Sequence, residues 1–344
     1  MPNKIVMLGA GSSADFGFPL SHEFFSRAYS LLPAAVLSRA EKLMHRVYPD
    51  LPEDKARYPR FEEAITAIYE REEFDRHDID AFTSVVAALF LKVEQSDFFA
   101  AKSENYKKFI ELLLRKDSDT VFISLNYDLM IDNILDACIQ DNLIPAYNYG
   151  LSELFYTNGT MFDAEGVSLL KPHGSLNLFY CDVCHKIHYC EDYFFAQGGQ
   201  SCAYCLYVNK GRTELYPLVL PPIYNKYGYG ITNEPGYVGS GKPVGPYVRY
   251  RNEIDEVMKN YLSRAQEIVI IGYSMPDHDI DFKGLLNSGL SGNVNRRGVP
   301  VRIVAADADK ENMKERYSGL AGEVTIEPEN GFYKYIESYI EKNK

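Results

Sequence analysis

Short, continuous runs of apolar residues, rich in Val and Ile, recur along the chain and predict strands that are buried on both faces. These runs cover residues 4–10, 120–126, 168–173, 217–221, 267–273 and 301–307. Helical periodicity separates several of them, as at residues 129–139 and 252–265. Strands that alternate with helices indicate an α/β fold, in which helices cover both sides of a parallel sheet.

The interval between the first two strands departs from this alternation and predicts several helices in a row. These helices cover residues 22–32, 61–74, 79–94 and 106–115. Phe61, Ile65 and Ile68 form an apolar stripe on one of them, and the charged residues are interpreted as solvated faces. We therefore interpret residues 21–116 as a helical insertion after the first strand and its turn.

A glycine-rich turn follows the first strand, with the sequence Gly9-Ala10-Gly11-Ser12-Ser13. Gly9 permits a tight turn, and Gly11 lets the backbone approach a pyrophosphate without a side chain in the way. Backbone N–H groups and serine hydroxyls at a helix start could then bind phosphate oxygens. However, Gly17 follows Gly11 by six residues, whereas the common dinucleotide fingerprint has three. A purely structural strand-to-helix turn is therefore the alternative.

Polar turns also follow three later predicted strands, at the end of an α/β sheet where ligands bind. Their sequences are Asn126-Tyr127-Asp128, His173-Gly174-Ser175 and Gly272-Tyr273-Ser274-Met275-Pro276-Asp277. A histidine in such a place can act as a general base near neutral pH. The alternatives are structural, since Asn126 and Asp128 could cap the next helix and His173 could be a buried structural residue.

Two cysteine pairs predict a metal site between residues 180 and 206. Cys181-x2-Cys184 and Cys202-x2-Cys205 are separated by 17 residues, a spacing typical of a four-cysteine zinc ribbon. Such a site, closed by protein sulfur, would be structural rather than catalytic, and free thiols are the alternative. His185, His188 and Cys190 lie between the pairs and could replace a ligand. Cys138 falls on the apolar stripe of its helix and is expected in the core.

The composition favours a protein without membrane or nucleic-acid partners. Hydrophobic residues make up 46% and charged residues 24% of the 344 residues, as in ordinary globular proteins. The net charge of −12 argues against nucleic-acid binding, which needs a basic face. The first residues run directly into an apolar strand, and no apolar run approaches the roughly 20 residues that a bilayer requires. We expect a cytoplasmic protein.

Taken in order, the motifs resemble those that define the sirtuins. They are Gly9-Ala10-Gly11-Ser12-Ser13 with Gly17 and Pro19, Asn126-Tyr127-Asp128, His173-Gly174-Ser175, the four cysteines, and Gly272-Tyr273-Ser274-Met275-Pro276. With its helical insertion, the chain is more similar to bacterial sirtuin-like NAD hydrolases than to protein deacylases. The resemblance implies a Rossmann-like, doubly wound parallel sheet. The NAD-binding domain of this chain would combine residues 1–20, 117–179 and 207–344. Residues 180–206 would form the zinc-ribbon module.

The resemblance also implies roles for individual residues. Asn126 would hold the nicotinamide ribose and the attacking water, Asp128 would hydrogen-bond the nicotinamide carboxamide, and His173 would act as base toward a ribose hydroxyl or water. The other residues implied in NAD binding are Gly9, Ala10, Gly11, Ser12, Ser13, Asp15, Gly272, Tyr273, Ser274 and Asp307. The glycines and serines after the first strand would contact the diphosphate, and Asp307 would bind the adenosine ribose.

The sequence departs from the deacylases where they bind an acyl-lysine peptide. Leu20-Ser21-His22 stands where they usually carry Asp-Phe-Arg. Residues 220–226 replace their Phe-Gly-Glu segment, and Pro221 and Pro222 lack the backbone donors that strand pairing with a peptide would use. These departures favour water over acetyl-lysine as the acceptor.

The predicted function is hydrolysis of NAD to nicotinamide and ADP-ribose. An NAD-dependent protein deacylase is the main alternative, and a non-catalytic module that senses NAD or ADP-ribose is the second. The resemblance would place the hydrolase in antiphage defence, where its activity must be restrained until triggered. We therefore expect a homo-oligomer or a regulatory protein partner. Its contacts would lie on the helical insertion or on residues 216–250, a predicted loop with seven tyrosines.

Overall fold

The structure of the chain is a computed structural model. It describes residues 4–71, 76–156, 165–181, 183–190, 201–208, 210–211, 213–219, 237–238, 242–243, 245–276, 279–293, 298–306 and 310–343.

A seven-stranded parallel sheet forms the centre of the molecule, in the order β13-β12-β11-β1-β2-β5-β3. Its strands are β1 Lys4–Leu8, β2 Val121–Ser124, β3 Tyr147–Asn148, β5 Val167–Leu170, β11 Glu267–Ile271, β12 Pro300–Val304 and β13 Glu323–Ile326. Every residue of β1, β2 and β5 is buried, as expected for strands covered on both faces. The predicted α/β fold with a doubly wound, Rossmann-like parallel sheet is confirmed.

Helices follow most of these strands and contribute to the same core. They are α1 Ala10–Ala14, α7 Met130–Gln140, α9 Gly245–Leu262, α10 Ile280–Ser291, α11 Lys310–Tyr317 and α12 Phe332–Lys342. Cys138 on α7 is fully buried, as predicted. No helix in the described part of the chain is long and apolar enough to cross a membrane.

The predicted succession of helices between β1 and β2 is also confirmed. It contains α2 Phe24–Leu31, α3 Ala34–Val47, α4 Phe61–Glu70, α5 Arg76–Glu94 and α6 Asp97–Lys116, with a 3-10 turn at Lys55–Arg57. Sequence reasoning missed α3, whose apolar face combines Leu37, Leu43, Met44 and Val47 with the small Ala40. The proposed domain boundaries at residues 20 and 116 stay a prediction.

A second sheet of four strands, in the order β4-β7-β6-β8, corrects one prediction. Its strands are β4 Leu154–Tyr156, β6 Gly174–Cys181, β7 Ile187–Tyr189 and β8 Leu215–Val219. The apolar run at residues 217–221 predicts a strand of the parallel sheet, but its described part belongs to β8, which pairs antiparallel with β6. A buried apolar run does not specify its pairing partner, and here β6 starts directly after His173 and provides one.

The described parts of the tyrosine-rich segment belong to strands and a helix. Its first residues belong to β8, and α9 begins at Gly245 rather than at the predicted residue 252. Between them, the structure describes β9 Tyr237–Val238 and β10 Lys242–Pro243, which pair antiparallel. Residues 220–236, which include the segment predicted to replace the peptide-binding strand, lie outside the described residues. One further short helix, α8, spans Ala203–Tyr207.

Candidate active site

The candidate site lies where the strand order of the parallel sheet reverses. The chain builds outward from β1 through β2 on one side and through β11 on the other. The carboxyl ends of β1 and β11 therefore border the crevice in which open α/β sheets bind ligands. The predicted turns at residues 9–13 and 272–276 follow these two strands.

The glycines of these turns are required by close contact between the turns themselves. Gly9 N–H donates to Ile271 O at 2.9 Å, and Gly11 N–H donates to Gly272 O at 2.8 Å. Gly272 has a φ of +64°, and a Cβ added there would lie 2.1 Å from Ser12 N. The glycine signal thus has a structural cause, as the alternative interpretation held. Diphosphate binding here stays a prediction and would have to use donors other than these two amides.

Asn126 and Asp128 are brought onto the first turn by hydrogen bonds. The Asn126 Nδ2 group donates to Gly9 O at 3.0 Å and to Ser13 Oγ at 2.9 Å. Ser13 Oγ in turn donates to Asp128 Oδ2 at 2.7 Å. All of these side chains are buried. Residues more than 110 positions apart therefore form one polar cluster at the ends of β1 and β2.

The charge of Asp128 is held in a buried environment. Burial raises the pKa of its carboxyl, while the Lys171 ammonium, the Ser13 hydroxyl and the Met130 N–H lower it in part. The other carboxylate oxygen, Oδ1, accepts from Met130 N at 3.2 Å at the start of α7. Leu129 holds the N-cap position of α7 without a side-chain cap, so Asp128 contacts this helix from one residue before it, and its Oδ2 accepts from the serine of the glycine turn.

Sequence reasoning missed Lys171, which joins the turn after β2 to the turn after β5. It is fully buried, and its Nζ donates to Asp128 O at 2.7 Å, Asp132 Oδ2 at 2.8 Å and Ser175 Oγ at 2.7 Å. Tyr149 and Asn177 complete the network by donating to Asp132 Oδ1. A lysine inside an apolar strand was the available signal, because a buried ammonium must be paired.

His173 follows two residues after Lys171 and is buried near the turn after β11. Its Nε2 lies 3.8 Å from Asp279 Oδ2, and its ring packs 6.2 Å from that of Phe282. Tyr273 OH donates to the same oxygen of Asp279 at 2.7 Å. The turn after β5 is also tied to that after β2, since Leu176 N–H donates to Tyr127 O. His173 therefore belongs to the same region of the sheet edge as Asn126 and Asp128.

Other predicted NAD-binding residues have varied surroundings. Ala10 and Ser274 are exposed, and Gly272 is half-buried beside them. Tyr273 is buried through its contacts with Asp279 and Phe282. The carboxylate of Asp15 contacts α12, where its Oδ2 accepts from Tyr333 N at 2.9 Å. Asp307 lies outside the described residues.

The four predicted metal ligands converge on one point. The sulfur atoms of Cys181, Cys184, Cys202 and Cys205 all lie within 4.8 Å of one another. The Cys181–Cys205 and Cys184–Cys202 distances are 3.6 and 3.7 Å. Zn–S bonds of roughly 2.3 Å place the sulfurs of a tetrahedral site about 3.8 Å apart. The cluster could therefore hold a zinc ion.

The possible substitutes for these ligands have different positions. His188 is fully buried, with Nε2 3.4 Å from Cys202 Sγ, so it lies beside the sulfur cluster. Cys190 packs against the same cluster and is half-buried. The four sulfurs alone supply the four ligands of a structural zinc site, so that site does not require a substitute.

The chain has little similarity to known proteins in sequence. No protein-family model matches the chain, and no curated protein matches it. Among solved structures, the chain is similar to a crystal structure of Sir2 in complex with the inhibitor EX-527, 2′-O-acetyl-ADP-ribose and a deacetylated p53 peptide. The match covers 98% of this chain and 93% of that chain, at 11% sequence identity and a TM-score of 0.38. At that level of similarity, function must be inferred from the site residues themselves.

Proposed function

We propose that the protein is an NAD glycohydrolase, which cleaves the nicotinamide–ribose bond to give nicotinamide and ADP-ribose. The observation that supports this most is the grouping of Asn126, Asp128 and His173 at adjoining strand ends beside the β1–β11 switch point. This grouping unites residues that the sirtuin-like motifs single out separately. It also lies at the carboxyl ends of the parallel strands, the side of such a sheet where a dinucleotide is expected.

The residue types suit the chemistry of this bond. Cleavage builds positive charge on the ribose, as in other glycoside cleavages, and nicotinamide leaves as a neutral group. The Nδ2 contacts orient the Asn126 amide, and we assign its Oδ1 to the ribose and the attacking water. We assign Asp128 to the nicotinamide carboxamide and His173 to proton removal. Their burial favours the reaction, because fixed dipoles act more strongly away from bulk water.

We also propose a structural zinc ion on the four cysteines and a regulated assembly. The sulfur geometry supports the zinc ion, which would stabilise the fold around β6, β8 and α8. A role in antiphage defence follows only from the resemblance to bacterial sirtuin-like NAD hydrolases. An NAD-consuming enzyme would need restraint, so we propose control by self-association or by a regulatory protein.

Incubation with NAD tests the proposal. The purified chain should release nicotinamide and ADP-ribose, resolved by chromatography, with no added peptide. Asn126→Ala and His173→Ala should each lower the turnover number by a factor on the order of 100 or more. Asn105→Ala is the matched control, because Asn105 contacts Tyr333 on α12 and not the site.

The same experiment separates the alternatives. Nicotinamide release that depends strictly on an acylated peptide would favour the deacylase. Binding of NAD without products, and unchanged in Asn126→Ala, would favour the sensing module. If NAD neither binds nor reacts, the proposed function is wrong.

A further inference from the structure

Asp279 stands at the N-cap of α10, but its side chain accepts no hydrogen bond from that helix. Capping is the usual reason for an aspartate at this position. Here Oδ2 instead accepts from Tyr273 OH at 2.7 Å and lies 3.8 Å from His173 Nε2. The side chain is only 2% exposed. A buried carboxylate is costly unless it is paired, so this orientation calls for a role other than capping.

Asp279 is placed between turns that carry the candidate catalytic residues. His173 follows β5, Tyr273 follows β11, and both approach its carboxylate. The charge of Asp279 also affects the pKa of Tyr127, which stands between Asn126 and Asp128 in the sequence. Burial first, then the negative charges of Glu62 and Asp279, raise the pKa of the Tyr127 hydroxyl well above its usual value. The turns after β5 and β11 therefore meet at this one carboxylate.

We propose that Asp279 is a positioning residue for His173, orienting its imidazole and stabilising the imidazolium formed when His173 takes a proton. This inference rests on the proposed function. In that reaction a water proton would pass to a ring nitrogen of His173. The water oxygen would bond to the ribose C1′, and nicotinamide would leave with the electron pair of the broken C1′–N bond. A carboxylate at 3.8 Å favours the positive ring whichever nitrogen receives the proton.

Among the residues that the structure describes, the other charged and titratable groups near His173 do not replace this effect. On α9, Arg251 Nη1 donates weakly to Pro172 O at 3.4 Å, and its charge opposes protonation of His173. However, Asp255 lies 2.6 Å from Arg251 Nε and offsets that charge. Tyr273 is neutral near pH 7, because burial and the Asp279 charge raise its pKa well above the usual value. Glu62 on α4 acts on Tyr127, and Phe282 on α10 offers only an apolar ring to His173.

The pKa of His173 gives a test that does not require catalysis. The seven histidines can be followed by NMR in a sample with labelled histidine, and His173→Gln identifies the signal. In Asp279→Asn, loss of the negative charge should lower the pKa of His173 by about one unit. Asp54→Asn, which makes the same change at the cap of an exposed 3-10 turn, should leave it unchanged.

A second variant should shift the pKa of His173 in the opposite direction. In Tyr273→Phe the carboxylate loses its hydroxyl donor, so its attraction for the imidazolium strengthens and the pKa of His173 should rise. If Asp279→Asn does not fold, this variant decides alone. An unmoved pKa in Asp279→Asn, or a fall in Tyr273→Phe, overturns the inference.

Kinetics then connect this result to the proposed function. In Asp279→Asn, we expect the turnover number for NAD to fall about tenfold or more with little change in KM, and the acidic limb of the pH–rate profile to move to lower pH. A wild-type chain that does not cleave NAD defeats the proposed function but leaves the titration valid. A shifted pKa with normal turnover would remove Asp279 from the reaction.

Discussion

At the scale of single residues, the candidate site is a chain of buried polar groups that satisfy one another. Ser13 accepts from the Asn126 amide and donates to the Asp128 carboxylate. Lys171 joins the same network by donating to the Asp128 backbone carbonyl. Such a network is rigid when every member is paired. A ligand that enters this site must therefore exchange some of these hydrogen bonds for its own.

Asp128 makes this arrangement costly at neutral pH. Its folded pKa is raised, chiefly by burial, so its contribution to stability is fully present below the unfolded pKa and is lost as the pH rises through the folded value. Asp128→Asn removes this loss of stability at higher pH, because the amide does not ionise. We expect the variant to be at least as stable as the wild type near pH 7, with the difference vanishing toward pH 3, and to have low activity.

Thermal melts between pH 3 and 8 measure this difference. Asp119→Asn, a change close to the surface, serves as the control and should follow the wild type throughout. A variant that is less stable than the wild type near pH 7 would show that the hydrogen bonds of Asp128 outweigh the cost of burying its charge.

At the scale of elements, two turns determine where the site can form. The turn after β1 and the turn after β11 are in backbone contact at Gly11 and Gly272, with no space for side chains. The parallel register of the two strands brings both turns to the same height. The site residues on one turn are therefore positioned by the other.

Gly272→Ala tests this contact. The positive φ and the 2.1 Å approach to Ser12 N should together lower the free energy of unfolding by about 3 kcal/mol or more. Gly284→Ala is the matched control, since its Cβ meets nothing within 4 Å and Gly284 is exposed in α10. That control should gain up to about 1 kcal/mol. Denaturant unfolding measures both, and equal effects would contradict the interlocked turns.

The cysteine cluster is a second element whose stability can be tested separately. We expect about one zinc ion per chain by elemental analysis, and a melting temperature that falls on treatment with a chelator. Cys184→Ser should lose the metal. Cys190→Ser, which alters a neighbour of the cluster outside the four ligands, should keep it. Metal-free wild-type protein with an unchanged melting temperature would argue for free thiols.

At the scale of the whole molecule, the two ends of the described chain are tied together. Asp15, just after α1, caps α12 through Tyr333 N–H across 318 positions, and its backbone oxygen accepts from Lys102 on α6. Phe16 packs beside Phe332 and Tyr106. The helical region, the glycine turn and the last helix therefore support one another around the first strand.

Asp15→Ala tests whether this residue supports the fold or binds the cofactor. Loss of a cap should lower the free energy of unfolding by about 1 kcal/mol, while the KM for NAD stays unchanged because the carboxylate faces α12. Chemical unfolding and steady-state kinetics measure the two effects. A large rise in KM at unchanged stability would instead favour the role in NAD binding that the sirtuin resemblance implies.

Local sequence patterns already determine much of this protein. Continuous apolar runs predict β1, β2, β5, β11 and β12, because a strand covered on both faces must be apolar throughout. The cysteine spacing predicts the sulfur cluster, because two closely spaced cysteine pairs are the ligand pattern of a zinc ribbon. The polar turns at Asn126 and His173 are visible because they end such runs.

Other features depend on contacts between distant residues, which no local pattern records. The run at residue 217 pairs with β6 rather than with the parallel sheet, since pairing depends on which strand lies alongside. Gly11 lies against the backbone of Gly272, and the Lys171 ammonium is paired with Asp132. The carboxylate of Asp279 does not cap its helix and lies instead beside His173 and Tyr273. The physical cause of each pairing is either steric fit or the cost of an unpaired buried charge. Both causes act only once the chain has folded.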